Sequence, residues 1–349
     1  MDVNGNWLWA AKAGGSSSVI SYGITLDNTG NSYVTGIFLH TATFGAYSLT
    51  SSGYVNIFVA KMDTDGNWLW VNQAGGNGWD GGFGITIDDA GNNYVTGSFK
   101  GTVYFGLYPL YSSGFDDIFV AKIDENGNWL WATQAGGSSS NDSGYGITVH
   151  NTRNCYVTGN FMYTATFGSY SLTSNGSEDI FVAKMDAVGN WLWATQAGAG
   201  SDDSGYEITI DNAGNCYVTG NFRETATFGS HSLTSSGEND IFVAKLNSSV
   251  YAENEIIPTE IRLSNYPNPF NPTTTISFSI PAESHTEISI YNIKGQKIKT
   301  LISNQLSAGE HSVVWDGKDD YGNKVSSGVY LYKLKAGDFQ RVRKMILLK

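Results

Sequence analysis

Gly127-Asn128-Trp129-Leu130-Trp131-Ala132-Thr133-Gln134 is the stretch on which the reading of this chain turns. Its first five residues recur unchanged at Gly5–Trp9, Gly66–Trp70 and Gly189–Trp193. The leading tryptophans, Trp7, Trp68, Trp129 and Trp191, stand 61, 61 and 62 residues apart. A fixed period longer than one hairpin marks a repeat architecture. As a strand, each copy puts both tryptophans on one face and the leucine on the other.

Working outward from Trp129, one unit runs back to Gly82. Phe83-Gly84-Ile85-Thr86-Ile87 alternates like a strand, and Asp88–Asn92 is a turn. Asn93–Phe99 is a second strand, and the pair reads as a β-hairpin. A Gly/Ser/Tyr-rich stretch from Thr102 to Gly114 follows, with no strand assigned to it. Asp117–Asp124 is rich in β-branched and aromatic residues and forms the third strand; the Trp stretch is the fourth. No segment carries helical periodicity. Four strands joined by turns make one propeller blade. Gly-Ile-Thr recurs at Gly23, Gly84 and Gly146, with Glu207 in place of the glycine in the fourth copy.

The phase of the array sets an expectation about its ends. Three units are complete, and the last, Tyr206 to Leu246, lacks a Trp strand. The copy at residues 6–13 could supply that strand and close a four-bladed ring, removing exposed edges. A truncated array gives the same count. Met1-Asp2 falls in register with Met62-Asp63 and Met185-Asp186, so the start could be an internal methionine of a longer array.

The net charge of −12 hides an asymmetry: residues 1–258 carry −16 and residues 259–349 carry +4. An acidic repeat region argues against nucleic acid, whose phosphates need a basic face. No apolar run reaches the ~20 residues that span a bilayer as a helix. Two cysteines, Cys155 and Cys216, are too few for a disulfide scaffold.

The pattern Asp-x-x-Gly-Asn-x-Tyr-Val-Thr-Gly, then Asp-Ile-Phe-Val-Ala-Lys, then Gly-Tyr-Gly-Ile-Thr, resembles the bacterial seven-bladed-propeller-type repeat known as SBBP. The likeness covers about residues 1–246. It implies a large extracytoplasmic protein with no shared enzymatic activity. Four copies depart from the larger rings usual for propellers.

Residues 247–262 break the period and read as a linker. Residues 263–349 then hold about seven short strand-like runs in about 90 residues, the signature of an immunoglobulin-like β-sandwich. The whole chain is thus expected to be all-β: a propeller followed by a sandwich. Pro267-Asn268-Pro269-Phe270, Trp315-Asp316-Gly317, Gly328-Val329-Tyr330 and the basic tail through Lys344 resemble the type A C-terminal sorting domain of the type IX secretion system. The same region resembles the immunoglobulin-like domain of flagellar hook-capping proteins. The first resemblance implies secretion machinery as a partner, export across the outer membrane, cleavage of this domain, and attachment at the cell surface. It also implies an N-terminal export signal, which does not stand at the start of this chain.

Candidate chemistry is sparse. The tryptophans either pack between blades or offer platforms to sugars. Six Asp-x-x-Gly-Asn turns, at Asp27, Asp63, Asp88, Asp124, Asp186 and Asp211, could suit calcium but lack the distal glutamate of a full loop. Turn chemistry is the expectation there. Lys61, Lys122, Lys184 and Lys245 share one repeat position and are read as solvated strand ends. The five histidines show no metal-ligand spacing. Near-identical repeats spread like groups around a ring, whereas catalysis needs different groups at one point. The expectation is therefore a secreted or surface propeller with no catalytic activity, no cofactor and no metal, binding an extracellular protein or glycan. The rival is a polysaccharide-binding lectin or degrading enzyme. It would use repeat-breaking residues: Trp79, Lys100, His150, Arg153 or Arg223.

Overall fold

The computed structural model describes residues 5–138, 141–150, 154–247, 262–281, 284–306, 309–337 and 339–348. The expected linker lies mostly outside these residues, as do Met1, Asp2 and Arg153. The chain falls into two compact units, Met1–Tyr251 and Ala252–Lys349. Among the described residues there are strands and turns but no helix.

The first unit is built of blades, each an antiparallel meander. Blade 2 is the pattern: β8 (Gly81–Ile87), β9 (Asn93–Phe105), β10 (Tyr108–Ile123) and β11 (Trp129–Ala135). Blade 3 repeats it with β12 (Ser143–Val149), β13 (Cys155–Phe167), β14 (Tyr170–Met185) and β15 (Trp191–Ala197). In blade 1 the ladder is β2 (Val19–Leu26), β3 (Ser32–Phe38), β6 (Asn56–Met62) and β7 (Trp68–Gly76). Its hairpin arm is split off as β4 (Thr41–Phe44) and β5 (Tyr47–Thr50).

This arm corrects the sequence reading. The stretch from Thr102 to Gly114, to which that reading assigns no strand, does form strands: β9 and β10 run on through it as a long hairpin that turns at Gly106. A register shift between Tyr111 and Asp116 separates the arm from the blade body. The arm carries little alternation of its own, and pairing across the hairpin is what makes it a strand.

Among the described residues blade 4 has three strands, β16 (Ser204–Ile210), β17 (Cys216–Phe228) and β18 (His231–Leu246). The expected closure by residues 6–13 is not formed. Residues 6–12 join no ladder, and β1 (Ala13–Gly15) pairs with β4 of blade 1, Ala13 opposite Phe44. That is the place taken, relative to blade 2, by Gly75 and Gly76 at the end of β7, which pair with Tyr104 and Val103. The N-terminal Trp stretch thus sits on blade 1 as the outer strand of a neighbouring blade would. No strand among the described residues pairs with the free edge of β18.

The cores lie between blades. Tyr33, Ile57 and Val59 of blade 1 pack with Ile85, Val95 and Phe119 of blade 2, and the two following seams repeat the arrangement. Cys155 and Cys216 are buried free thiols, each pushed up to about 12 by burial. Burial disfavours the thiolate, so both behave as small apolar side chains.

Among its described residues the second unit holds seven strands in two sheets. One sheet is β19 (Leu263–Tyr266), β20 (Thr274–Ile280) and β23 (Gly309–Trp315). The other orders β22 (Lys297–Leu306), β21 (Ser284–Asn292), β24 (Gly328–Ala336) and β25 (Phe339–Leu347). Phe278 and Ile280 of the first meet Ile288, Tyr332 and Leu334 of the second in one core.

Candidate functional site

The tryptophans of the internal blades are packing elements. Trp68, Trp129 and Trp191 stand edge-on to Phe44, Phe105 and Phe167 at 5.2, 5.0 and 5.2 Å between ring centroids. The second tryptophans reach the adjoining unit. Trp70 Nε1 donates to the Glu125 carbonyl at 3.0 Å and Trp131 Nε1 to that of Ala187 at 3.3 Å. Trp9 Nε1 does the same to Thr64, at 2.9 Å. Rings held this way present no sugar platform.

The Asp-x-x-Gly-Asn turns use their own carboxylates. Asp27 Oδ1 accepts from the Thr29 and Asn31 backbones at 3.0 and 2.9 Å, and its Oδ2 accepts from the Asn31 amide at 2.8 Å. Burial alone would raise this carboxyl; the bonds from Thr29 and Asn31 outweigh it and bring it down to about 2. The other five turns repeat the geometry. The oxygens a cation would need are already taken by local donors.

The repeat lysines are not free strand ends. Lys122 Nζ lies 3.2 Å from the Asp88 carboxylate, 2.6 Å from the Tyr94 hydroxyl and 4.5 Å from the centre of the Tyr94 ring. Lys61 and Lys245 sit over Tyr33 and Tyr217 and reach Asp27 and Asp211 at 3.9 Å. In blade 3, His150 occupies the aspartate's position in the turn, and Lys184 lies 5.6 Å over the Tyr156 ring.

Sequence reasoning passed over three buried carboxylates that hold the seams. Asp80 accepts from Gly76 and Lys100 backbone N–H groups at 2.8 and 3.3 Å. Asp142 does so from Gly137 and Met162, and Asp203 from Ala199 and Arg223. Each ties the tail of one blade to the arm of the next. The signal was present as an aspartate at a constant offset before the inner strand.

Among the described residues, the repeat-breaking candidates do not converge. Lys100 and Arg223 occupy equivalent positions on different blades; Lys100 lies 5.0 Å over the Phe115 ring and Arg223 pairs with Glu238 at 2.8 Å. His150 belongs to a turn at the other end of its blade. Arg153 lies outside the described residues.

Trp79 does join a cluster. It lies 6.0 Å from Phe83, which belongs to a row formed by one residue of each inner strand: Tyr22, Phe83, Tyr145 and Tyr206. Successive centroids are 5.2, 5.5 and 5.6 Å apart. Each member is the extra residue of a β-bulge, which turns its ring out of the ladder. Tyr22 and Tyr206 are half exposed. Beside the row, Glu178 accepts from the Asn160 amide. This row is the candidate binding surface. Its signal was the aromatic that precedes the glycine, or Glu207, of every inner strand.

In the second unit the motif residues assemble into structure. Trp315 stands between Phe270 and Tyr330, at 5.6 and 5.1 Å, and all three are buried. Phe270 exchanges backbone bonds with Ile346 and Leu348 at 3.0 and 2.9 Å, and Asn268 Oδ1 accepts from Ile346 N–H at 3.0 Å. The Pro267–Phe270 segment is thereby clasped to β25, beside Lys344, whose carbonyl accepts from the Asn268 amide at 3.4 Å. Asp316 pairs with Lys318 at 2.8 Å, Gly317 takes a φ of +69°, and Gly328 opens β24.

Known proteins give the following likenesses. The family model described as beta-propeller repeat (SBBP) matches residues 8–36, 130–160 and 192–221, and that described as FlgD Ig-like domain matches residues 266–338. An uncharacterised WD repeat-containing protein of Acanthamoeba polyphaga mimivirus is 27% identical over 230 residues, 55% of this chain. The chain spans only 16% of that relative's length. Among solved structures, PorZ of Porphyromonas gingivalis, described as a surface component of the type IX secretion system, is 12% identical. The match covers 94% of this chain and 45% of PorZ, with a TM-score of 0.25. Dimeric latent PorU of the same organism is 10% identical, with 94% and 32% covered and a TM-score of 0.23. Scores this low carry no argument. On the two family matches, the chain carries SBBP β-propeller repeats in its N-terminal region and an FlgD Ig-like domain at its C-terminus.

Proposed function

We propose that this is a secreted or cell-surface, non-catalytic propeller protein, acting as a binding or structural module and exported through its C-terminal domain. The observation that carries the non-catalytic reading is where the repeat's polar groups go. The turn aspartates, the seam aspartates and the repeat lysines are engaged within the fold. Among the described residues, those that break the repeat do not come together. The export reading is supported by the clasp of Pro267–Phe270 on β25, which makes the motif and the C-terminal tail one folded element. Deleting residues 263–349 in a host with the type IX system should leave the protein in the periplasm. Surface delivery of the deletion would defeat the export reading.

The row from Tyr22 to Tyr206 favours a second reading, a polysaccharide-binding module. Half-exposed aromatic rings stack on the apolar faces of sugars. A glycan array on the full chain, repeated with Tyr145→Ala and Tyr206→Ala, tests it: specific binding lost in both variants is the expected result. Hydrolase or lyase turnover, abolished by substitution at Trp79, Lys100, His150, Arg153 or Arg223, would replace both readings with an enzyme.

A further inference from the structure

Each seam between blades requires glycine at two places. At the first, the glycines are Gly23, Gly84 and Gly146. A Cβ there would come within 2.8, 2.4 and 2.8 Å of the next blade's Phe83, Tyr145 and Tyr206 carbonyl oxygens. Backbone atoms in a ladder do not yield as a side-chain tip does. At the second, the glycines are Gly82, Gly144 and Gly205. A Cβ there would stand 2.5, 2.3 and 2.3 Å from the preceding blade's Thr35, Thr96 and Thr158 hydroxyls.

The outer faces of blades 4 and 1 each break one of these rules. Blade 4 has Glu207 at the first place, opposite Thr219 as Gly146 is opposite Thr158. Blade 1 has Ser21 at the second. Apolar positions elsewhere on the two faces match those buried in the internal seams. Ile241 and Val243 of blade 4 are 81% and 72% exposed, while their counterparts Ile118 and Val120 are at 0%. Ile24 of blade 1 is 68% exposed and its counterpart Ile85 is at 8%. The Trp stretch on blade 1 also offers β18 a strand. Ala10 would oppose Ala244 as Ala132 opposes Ala121.

We propose that Glu207 is a steric stop, which keeps the open apolar face of blade 4 from receiving blade 1 of a second copy. The three internal seams define that partner: the same strands, in the same register, joined head to tail. Such contacts do not close on themselves after one step and would build rings or filaments. An inward charge or bulky side chain at an edge is a known defence against this. At this position it is the Cβ that decides, because the blocking atoms are backbone.

The test is sedimentation of the full chain as wild type, Glu207→Ala, Glu207→Gly and Ser21→Gly/Glu207→Gly, each first shown to be folded by circular dichroism. Wild type and Glu207→Ala are expected to stay monomeric. The double glycine variant is expected to associate about tenfold more tightly or better, the scale of relieving one overpacked contact. In that background, Ala10→Cys with Ala244→Cys should give a disulfide between chains. Self-association of the wild type, association of Glu207→Ala, or a monomeric double variant would each overturn the proposal. A disulfide within one chain would also overturn it, in favour of ring closure.

Discussion

Asp142, at the head of blade 3, accepts the backbone N–H of Met162 in the same blade at 3.1 Å and ties it to Gly137 at the tail of blade 2. Its other oxygen takes Gly137 N–H at 2.9 Å, and the side chain is wholly buried. Asp142→Ala strands two backbone donors away from water. Each unsatisfied donor costs about 1–3 kcal/mol. A loss of about 2–4 kcal/mol is expected from urea unfolding, with the same result for Asp203→Ala. A loss below ~1 kcal/mol would mean the seam does not depend on this carboxylate.

Burial raises the Asp117 and Asp179 carboxyls to about 6. Their Oδ1 atoms are buried with no hydrogen-bond partner, Asp203 faces Asp179, and Asp142 lies with Asp117 around Gly136. Asp116 stands next to Asp117 and raises it further. Folding therefore favours the protonated form. The stability this contributes is complete below the unfolded value near pH 4 and is lost as pH rises through 6. Blade 1 carries Asn56 at the same position. Asp117→Asn/Asp179→Asn should raise the denaturation midpoint at pH 7.5 and leave it nearly unchanged at pH 4. A lower midpoint at pH 7.5 would contradict this.

The same lysine has two values in two blades. Lys122 and Asp88 are buried, with side chains 9% and 2% exposed. Lys122→Ala leaves a charge uncompensated inside the protein, and a loss of about 3–5 kcal/mol is expected. Lys245 and Asp211 are much more open and stand 3.9 Å apart. Lys245→Ala should cost far less, because an exposed pair is screened by solvent. Equal losses in a denaturant series would show that burial is not what separates them.

Trp129 packs on Phe105 inside a seam, while Trp7, its counterpart at the N-terminus, is 82% exposed. Trp129→Ala should cost about 3–5 kcal/mol by the loss of a buried aromatic. Trp7→Ala should stay within about 0.5 kcal/mol of wild type. Tryptophan emission adds a check: the Trp129 variant loses a blue-shifted component and the Trp7 variant a red-shifted one.

Much of the blade was legible because its signals are local. Asp88–Asn92 is a turn by its own side-chain bonds, and Asp117–Asp124 is a strand by composition. The arm from Thr102 to Gly114 was not, since only pairing between β9 and β10 defines it. The seam aspartates were overlooked for a related reason. Asp80 looks like any loop acid until Gly76 and Lys100 are brought to it from two different blades. The Lys122–Asp88–Tyr94 contact joins residues 34 and 28 positions apart, and no spacing rule announces it.

By itself the sequence determined the repeat, its four-stranded unit, the all-β class and the immunoglobulin-like second domain. Those follow from periodicity and turn chemistry, which act over a few residues at a time. Only the tertiary structure decided what the tryptophans do and how the array ends. The Trp-Leu-Trp stretch can pair with β18 in register, and sequence counting alone allows a closed ring there as well as a truncated array. The seam geometry sets Gly146 2.8 Å from Tyr206 through its missing Cβ and puts Glu207 at the same position on the open face. Whether two blades can meet depends on that interatomic distance, which a repeat count does not contain.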